Sequence, residues 1–160
     1  MPRRGRSGEG ATGIIDGMAF LNDRDRAAVR QEFEKLAGPV KLIVFSQEPM
    51  AGDLCRQNEQ LIQEVAELTD GKATVEVLNP AIDRERAEGY GVDQVPATVV
   101  EGARDYGLRF YGIPSGYEFA NLIDAMIVAS TGEPQLSEAT RASLAALAGD
   151  VEIKVFSTPT

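Results

Sequence analysis

Cys55 is the residue of this sequence with the most distinctive chemistry, because it is the one thiol among 160 residues. An apolar, strand-like run over residues 39–46 breaks at Gln47, Glu48 and Pro49, and Cys55 follows where a helical pattern begins. Strand, loop, thiol and helix in this order are typical of a redox site, where a helix N-terminus stabilises a thiolate. Such sites usually use two sulfurs. The sequence therefore leaves two possibilities open, a working thiol or the remnant of a dithiol site.

The residue types that the sequence lacks exclude several classes of catalyst. Without histidine, one chain can form neither a Ser-His-Asp triad nor a Cys-His pair. A lone cysteine cannot build a zinc site or an internal disulfide. We therefore predict no metal and no cofactor, and a reducing compartment, the cytoplasm, as the location.

The charge and hydropathy of the chain limit its partners. The net charge of −9 argues against nucleic-acid binding, which needs clustered Lys and Arg. Arg3, Arg4 and Arg6 do form a basic cluster in a Gly/Ser-rich stretch without periodicity. We predict a disordered tail over residues 1–17, with an RNA-binding arm as the alternative. No apolar run approaches the roughly 20 residues of a membrane-spanning helix, so we expect no membrane partner.

Hydrophobic periodicity predicts an α/β fold between residues 39 and 130. An apolar strand over residues 39–46 is followed by a helix, a strand, a short helix, two more strands and a last helix. A βαβ half joined to a ββα half makes a four-stranded mixed sheet flanked by helices, which is the thioredoxin-like arrangement. A further helix precedes the first strand, with Asn22 or Asp23 as its cap and Gly38 at its end.

The helix that follows the thiol is predicted over residues 54–69 and is amphipathic. The apolar stripe that we expect to be buried consists of Leu54, Leu61, Ile62, Val65 and Leu68. The acidic side that we expect to face solvent consists of Glu59, Glu64 and Glu67. In the last helix, Ser115 and Glu118 have the spacing of a capping box.

An internal repeat is the most specific pattern in the sequence. Residues 30–49 can be laid without gaps on residues 141–160, at an offset of 111, with eight identities that include the runs LAG and VFS. The alternative is the general likeness of any helix-Gly-strand pair, but two identical runs favour duplication. The sequence therefore predicts one thioredoxin-like unit over residues 18–132. The helix and strand that begin a second, truncated unit are predicted over residues 133–160.

Three segments resemble a known family. "VKLIVFS", "YGVDQVPATVV" and "GLRFYGIPSGYEF" are similar to the first half of the glutaredoxin-like protein disulfide oxidoreductases, which carry two thioredoxin units in tandem. The N-terminal domain of the flavoprotein subunit of alkyl hydroperoxide reductase is the second resemblance. Either one implies thiol–disulfide exchange with peptide or protein substrates, and a second thioredoxin unit as the packing partner of this one.

The resemblance implies that Val95 and Pro96 line a substrate groove. Pro96 matches the proline that lies in cis beside the redox site of the family. The backbone of Val95 would then face outward, where an extended substrate could pair with it as an added strand. The alternative is a trans proline that opens an edge strand.

The sequence departs from the family at its Cys-x-x-Cys motif. The position of the attacking cysteine holds Gly52, in "GDLC", and Cys55 falls at the position of the resolving cysteine. The loop is also one residue longer in this alignment, which leaves the match open by one place. A dithiol cycle cannot run in this unit. Cys55 is then either a monothiol that glutathione reduces or, as we expect, a remnant packed against the sheet.

Two functions follow from these observations. The chain is an N-terminal unit of a thiol-disulfide oxidoreductase whose active dithiol lies in the second unit, or it is a non-catalytic module that docks an extended partner segment. The degenerate motif favours docking for this chain, and the half-repeat favours the oxidoreductase for the whole protein.

Overall fold

A computed structural model describes residues 19–47 and 52–156 of the chain. The predicted tail, residues 1–17, and the loop residues Glu48 and Pro49 lie outside these ranges. Within the described ranges the chain forms five helices and four strands. The helices are α1 (Asp23–Phe33), α2 (Gly52–Glu67), α3 (Arg84–Tyr90), α4 (Tyr117–Thr131) and α5 (Glu138–Ala145). The strands are β1 (Val40–Phe45), β2 (Ala73–Leu78), β3 (Ala97–Glu101) and β4 (Asp105–Tyr111).

The four strands form one mixed sheet in the order β2-β1-β3-β4. β1 is parallel to β2 and antiparallel to β3, and β4 is antiparallel to β3. Phe45, the last residue of β1, lies opposite both Leu78 and Ala97. The ends of β1 and β2 therefore meet the beginning of β3 at one edge of the sheet. The predicted fold is confirmed.

The side chains of β1 alternate between two cores, because successive residues of a strand point to opposite faces. Leu42 and Val44 belong to the larger core, which α1, α2 and α4 cover. Ile43 and Phe45 belong to the smaller core, to which Ala87 of α3 contributes. β1 is therefore buried on both faces, as its continuous apolar run predicts.

The helix ends show where local signals hold and where they fail. The side chain of Asn22 accepts a hydrogen bond from the amide of Asp25 at 2.9 Å and caps α1, as predicted. The capping box at Ser115 was a wrong prediction. The amide of Ser115 bonds the carbonyl of Ile113 at 2.7 Å, and Gly116, with a φ of +59°, occupies the cap of α4 instead.

The predicted second copy is helical in its first part only. α5 forms as expected, whereas residues 151–156 form no strand in the part of the chain that the structure describes. A strand needs a neighbour to bond its backbone, and none pairs with this segment. Every described residue from 131 onward is exposed. The unit boundary at residue 132 stays a prediction.

None of the helices within residues 19–47 and 52–156 is long and apolar enough to cross a membrane.

Candidate functional site

Cys55 lies in the first turn of α2 and is fully buried. α2 begins at Gly52, so the thiol is the fourth residue of the helix. Asn58 and Ile62, one and two turns further along, are fully buried as well. The face of α2 that carries Cys55 is therefore packed inside the protein, and the sulfur is closed off from solvent.

Leu54 corrects the predicted stripe of α2. It is 56% exposed, whereas Leu61, Ile62, Val65 and Leu68 are buried as expected. Leu54 and Leu61 are seven residues apart and so share an angular position on the helix. Leu61 lies deeper along α2, beside Leu21 and Val29 in the core. Leu54 lies at the free end of the helix, where the described residues leave it uncovered.

Gly52 is the residue that the resemblance predicts at the position of an attacking sulfur, and this alignment stays a prediction. It opens α2 with a φ of +62°, a conformation that glycine adopts readily. Beside it, Asp53 and Arg56 form an exposed ion pair on the helix surface. The guanidinium of Arg56 is thus engaged with a carboxylate. No other residue supplies Cys55 with a second thiol, since it is the only cysteine of the sequence.

Three buried polar side chains, those of Asn58, Thr98 and Ser46, lie in the core near the N-terminal half of α2 and the sheet. The amide of Asn58 donates to the hydroxyl of Thr98 at 3.1 Å, and both residues are fully buried. The other side-chain atom of Asn58, Oδ1, and the hydroxyl of Ser46 have no hydrogen-bond partner in the described residues. The hydrophobic pattern missed this polar layer. An asparagine in the middle of an apolar stripe was the available signal.

The peptide bond between Val95 and Pro96 is cis. Pro96 is buried and Val95 is half-buried. The carbonyl of Pro96 accepts a hydrogen bond from the amide of Gly112 at 2.8 Å, which ties this turn to the end of β4. No hydrogen bond to the described residues uses the backbone of Val95. Its N–H and C=O are therefore available to a partner.

The hydrogen bond between Asn58 and Thr98 brings the predicted site residues to one edge of the sheet. Cys55 precedes Asn58 by one helical turn, and Pro96 precedes Thr98 by two residues. α2 therefore begins above the point where β3 begins. The structure places Cys55 and Val95-Pro96 at the same end of the fold, with the thiol turned inward.

Glu64 corrects the prediction that the acidic side of α2 faces solvent. Its carboxylate is buried and accepts hydrogen bonds from the amide of Phe20 at 3.0 and 3.1 Å and of Leu21 at 3.3 Å. The guanidinium of Arg26 lies 3.5 Å from it. A chain segment that precedes α1 crosses α2 here, and helical periodicity cannot reveal such a contact. Glu67 is exposed as expected.

A group of charges lies on the opposite face of the sheet, beside α3. The carboxylate of Glu76 binds Arg86 at 2.5 and 3.0 Å and Lys41 at 2.6 Å. The hydrogen bonds from Arg86 first, and from Lys41 second, lower the pKa of Glu76 to about 2. This group joins α3 to β1 and β2 and lies away from the thiol.

Comparisons with known proteins agree with this architecture. No family model and no curated protein matches the sequence. The alkylhydroperoxide reductase AhpF from Enterococcus faecalis superposes with a TM-score of 0.72 at 25% identity, covering 79% of this chain and 61% of that one. The NTD_N/C domain of the same protein superposes with a TM-score of 0.72 at 25% identity, covering 80% of this chain and 61% of that one. The chain has the thioredoxin fold.

A third neighbour of this thioredoxin-fold chain is a protein disulfide oxidoreductase from Aeropyrum pernix, with a TM-score of 0.67 at 22% identity, covering 80% of this chain and 56% of that one. Both families that the sequence resembles are thus matched by solved structures. The chain spans about three fifths of the length of these neighbours.

Proposed function

We propose that this chain is a thioredoxin-fold unit of a thiol-disulfide oxidoreductase and that it contributes binding and support rather than thiol chemistry of its own. The burial of Cys55 carries the proposal. Thiol–disulfide exchange begins when an accessible thiolate attacks a substrate sulfur. A sulfur without solvent exposure cannot be approached in line by another sulfur unless α2 opens.

The residue at the attacking position supports the same interpretation. Gly52 provides no sulfur, so Cys55 could not release a substrate from a mixed disulfide formed in this unit. The active dithiol is then supplied elsewhere in the protein, and we infer that it belongs to a second thioredoxin unit that packs against this one. A single cysteine also suits a reducing compartment, the cytoplasm.

The cis turn is the second element of the proposal. An extended segment of a partner or substrate protein docks at Val95 by pairing with its backbone N–H and C=O, which have no partner among the described residues. A docked segment would lie beside the beginning of α2. The unit then helps to hold a polypeptide while another unit carries out exchange.

The accessibility of the thiol tests the first part. Ellman's reagent should react with Cys55 at least about a thousandfold more slowly in the folded chain than in denaturant, because the reaction requires an opening that costs at least about 4 kcal/mol. Leu54→Cys on the Cys55→Ser background is the matched control, because it places the thiol at an exposed position of the same turn. That control should react at nearly the denatured rate.

Activity assays separate support from monothiol catalysis. Wild-type chain and Cys55→Ser should both fail to reduce a glutathionylated peptide with glutathione as the reductant. If the wild type turns the substrate over and Cys55→Ser does not, Cys55 is catalytic and the proposal is wrong.

Docking at Val95 has its own readout. Carboxymethylated insulin B chain, an unfolded polypeptide, should shift the amide resonance of Val95 in a heteronuclear NMR titration, and the same peptide N-methylated along its backbone should not. Equal shifts from both peptides, or none from either, would show that backbone pairing does not occur there.

A further inference from the structure

The buried residues of α2 are concentrated in its C-terminal half. Among residues 52–58, Cys55 and Asn58 alone are buried, whereas five of the six residues 61–66 are. The apolar members of the second group, which all belong to the larger core, are Leu61, Ile62, Val65 and Ala66. Cys55 belongs to neither of the two apolar cores that the described residues form. The C-terminal half therefore anchors α2, and residues 52–58 are held more weakly.

The strongest contact of residues 52–58 with the sheet is polar and only partly satisfied. The amide nitrogen of Asn58 donates to the hydroxyl of Thr98 at 3.1 Å. Oδ1 of the same side chain has no hydrogen-bond partner in the described residues, although Asn58 is fully buried. A buried acceptor without a partner is destabilising. When the segment opens, water can bond this oxygen, so Asn58 favours opening more than an apolar residue at its position would.

The exposed side chains of this segment add little to its stability. Leu54 is the one large apolar residue among residues 52–58, and it is 56% exposed. Asp53 and Arg56 form an ion pair in which both side chains are exposed, and such pairs contribute little. Local stability follows the apolar contacts that a segment buries. Residues 52–58 should therefore be less stable than the rest of α2.

We infer that residues 52–58 open as a unit while the remainder of α2 stays folded, and that Cys55 is a cryptic thiol reached through this opening. In the open form a small disulfide can approach the sulfur in line. The thiol loses its proton to solvent, and the thiolate attacks one sulfur of the disulfide. A mixed disulfide forms on Cys55, the S–S bond of the small disulfide breaks, and its other half leaves as a thiolate.

The inference rests on the burial of Cys55, which also carries the proposed function. It adds that the thiol is exposed without unfolding of the whole domain. The two statements can fail separately, because one concerns whether the sulfur is enclosed and the other concerns how much of the chain must move to expose it.

The urea dependence of thiol labelling tests the inference. Ellman's reagent, itself a small disulfide, is added to the full chain at urea concentrations below the unfolding transition. The slope of the logarithm of the labelling rate against urea measures the surface that the opening exposes. An opening of seven residues should give no more than about a fifth of the slope of global unfolding. Hydrogen exchange should likewise be faster at the amide of Asn58 than at that of Val65.

Two glycine variants locate the opening along the helix. Gln57 and Gln63 are both exposed on α2, so a glycine at either position lowers helix stability by a similar amount. Gln57 lies inside the opening segment and Gln63 lies outside it. Gln57→Gly should therefore label at Cys55 about fivefold faster than the wild type. Gln63→Gly should label at the wild-type rate, although it lowers the urea midpoint of global unfolding by as much.

The outcomes separate this inference from the proposed function. A slope equal to that of global unfolding, equal acceleration in both variants, or no acceleration in Gln57→Gly would overturn the local opening and leave the proposed function intact. Labelling of the wild type at nearly the denatured rate without urea would show that Cys55 is not enclosed, and would overturn both.

Discussion

Replacing Glu64 with alanine should lower the free energy of unfolding by about 3 kcal/mol. The carboxylate accepts three hydrogen bonds from two backbone amides, of Phe20 and Leu21. Hydrogen bonds to a charged group contribute about 1.5–3 kcal/mol each. Phe20 is partly exposed, so water can replace some of this bonding, whereas Leu21 is buried and its amide would be left without a partner. The two amides together therefore lose about one and a half full hydrogen bonds.

Two further variants should lower the free energy of unfolding by smaller amounts. Glu64→Gln keeps one carbonyl acceptor without the charge and should lose about half as much, roughly 1.5 kcal/mol. Glu67→Ala removes an exposed carboxylate 3.8 Å from Arg26 and should cost less than about 0.5 kcal/mol.

Urea denaturation followed by circular dichroism measures the three free energies with the wild type as reference. Hydrogen exchange of the Leu21 amide, slow in the wild type, should become fast in Glu64→Ala. If Glu64→Ala costs no more than Glu67→Ala, the carboxylate does not hold the segment before α1, and our interpretation of this contact is wrong.

Two other predictions concern a close backbone approach and an ion-pair group. A Cβ on Gly102 would lie 1.8 Å from the carbonyl oxygen of Ala129, so Gly102→Ala should cost about 3 kcal/mol. A Cβ on Gly89 in α3 would meet no atom within 4 Å, so Gly89→Ala should raise the free energy of unfolding by up to about 1 kcal/mol. If both variants lower the unfolding temperature equally, the contact between Gly102 and Ala129 is refuted. The pKa of Glu76 is lowered from 4.5 to about 2. Its ionised carboxylate therefore contributes stability that is present above pH 4.5 and lost as the pH falls toward 2. Because the side chain of Glu76 is one-third exposed, we expect this contribution to the free energy of unfolding to be about 1–2 kcal/mol. Glu76→Gln should lack it when the variant and the wild type are compared by urea denaturation from pH 6 to pH 2.5. A constant difference between them across this range would contradict the assignment.

Local periodicity predicted the fold but not the environment of each residue. The apolar run of β1 and the glycine and proline breaks were sufficient for the order of the elements along the chain, because a strand buried on both faces has a distinctive composition. Leu54 and Glu64 were misplaced for opposite reasons. Leu54 has the right phase on α2 but lies at its uncovered end, and Glu64 has the wrong phase but is covered by residues more than forty positions away.

The candidate site was likewise predicted only in part. The burial of Cys55 was expected from its place inside the first turn of α2, and the structure has it buried. The buried polar side chains Asn58 and Ser46 were not expected. Asn58 interrupts the apolar stripe of α2, which was the available signal, whereas no pattern in the sequence marks Ser46 as buried. The roles of Val95 and Pro96 remain predictions, supported by a backbone with unused hydrogen-bonding groups.

The exposed repeat has a consequence for how the chain behaves in concentrated solution. Residues 151–155 alternate apolar and charged side chains, and the apolar Phe156 that follows is 90% exposed. The segment contains no proline. Glu152 and Lys154 form an ion pair at 3.0 Å, so their charges cancel along the segment. High β-propensity, low net charge and an unpaired backbone are the features of segments that stack into cross-β fibrils. Residues 151–156 resemble β1 in sequence but pair with no strand among the described residues, so they have the composition of a segment that can pair with a second copy of itself.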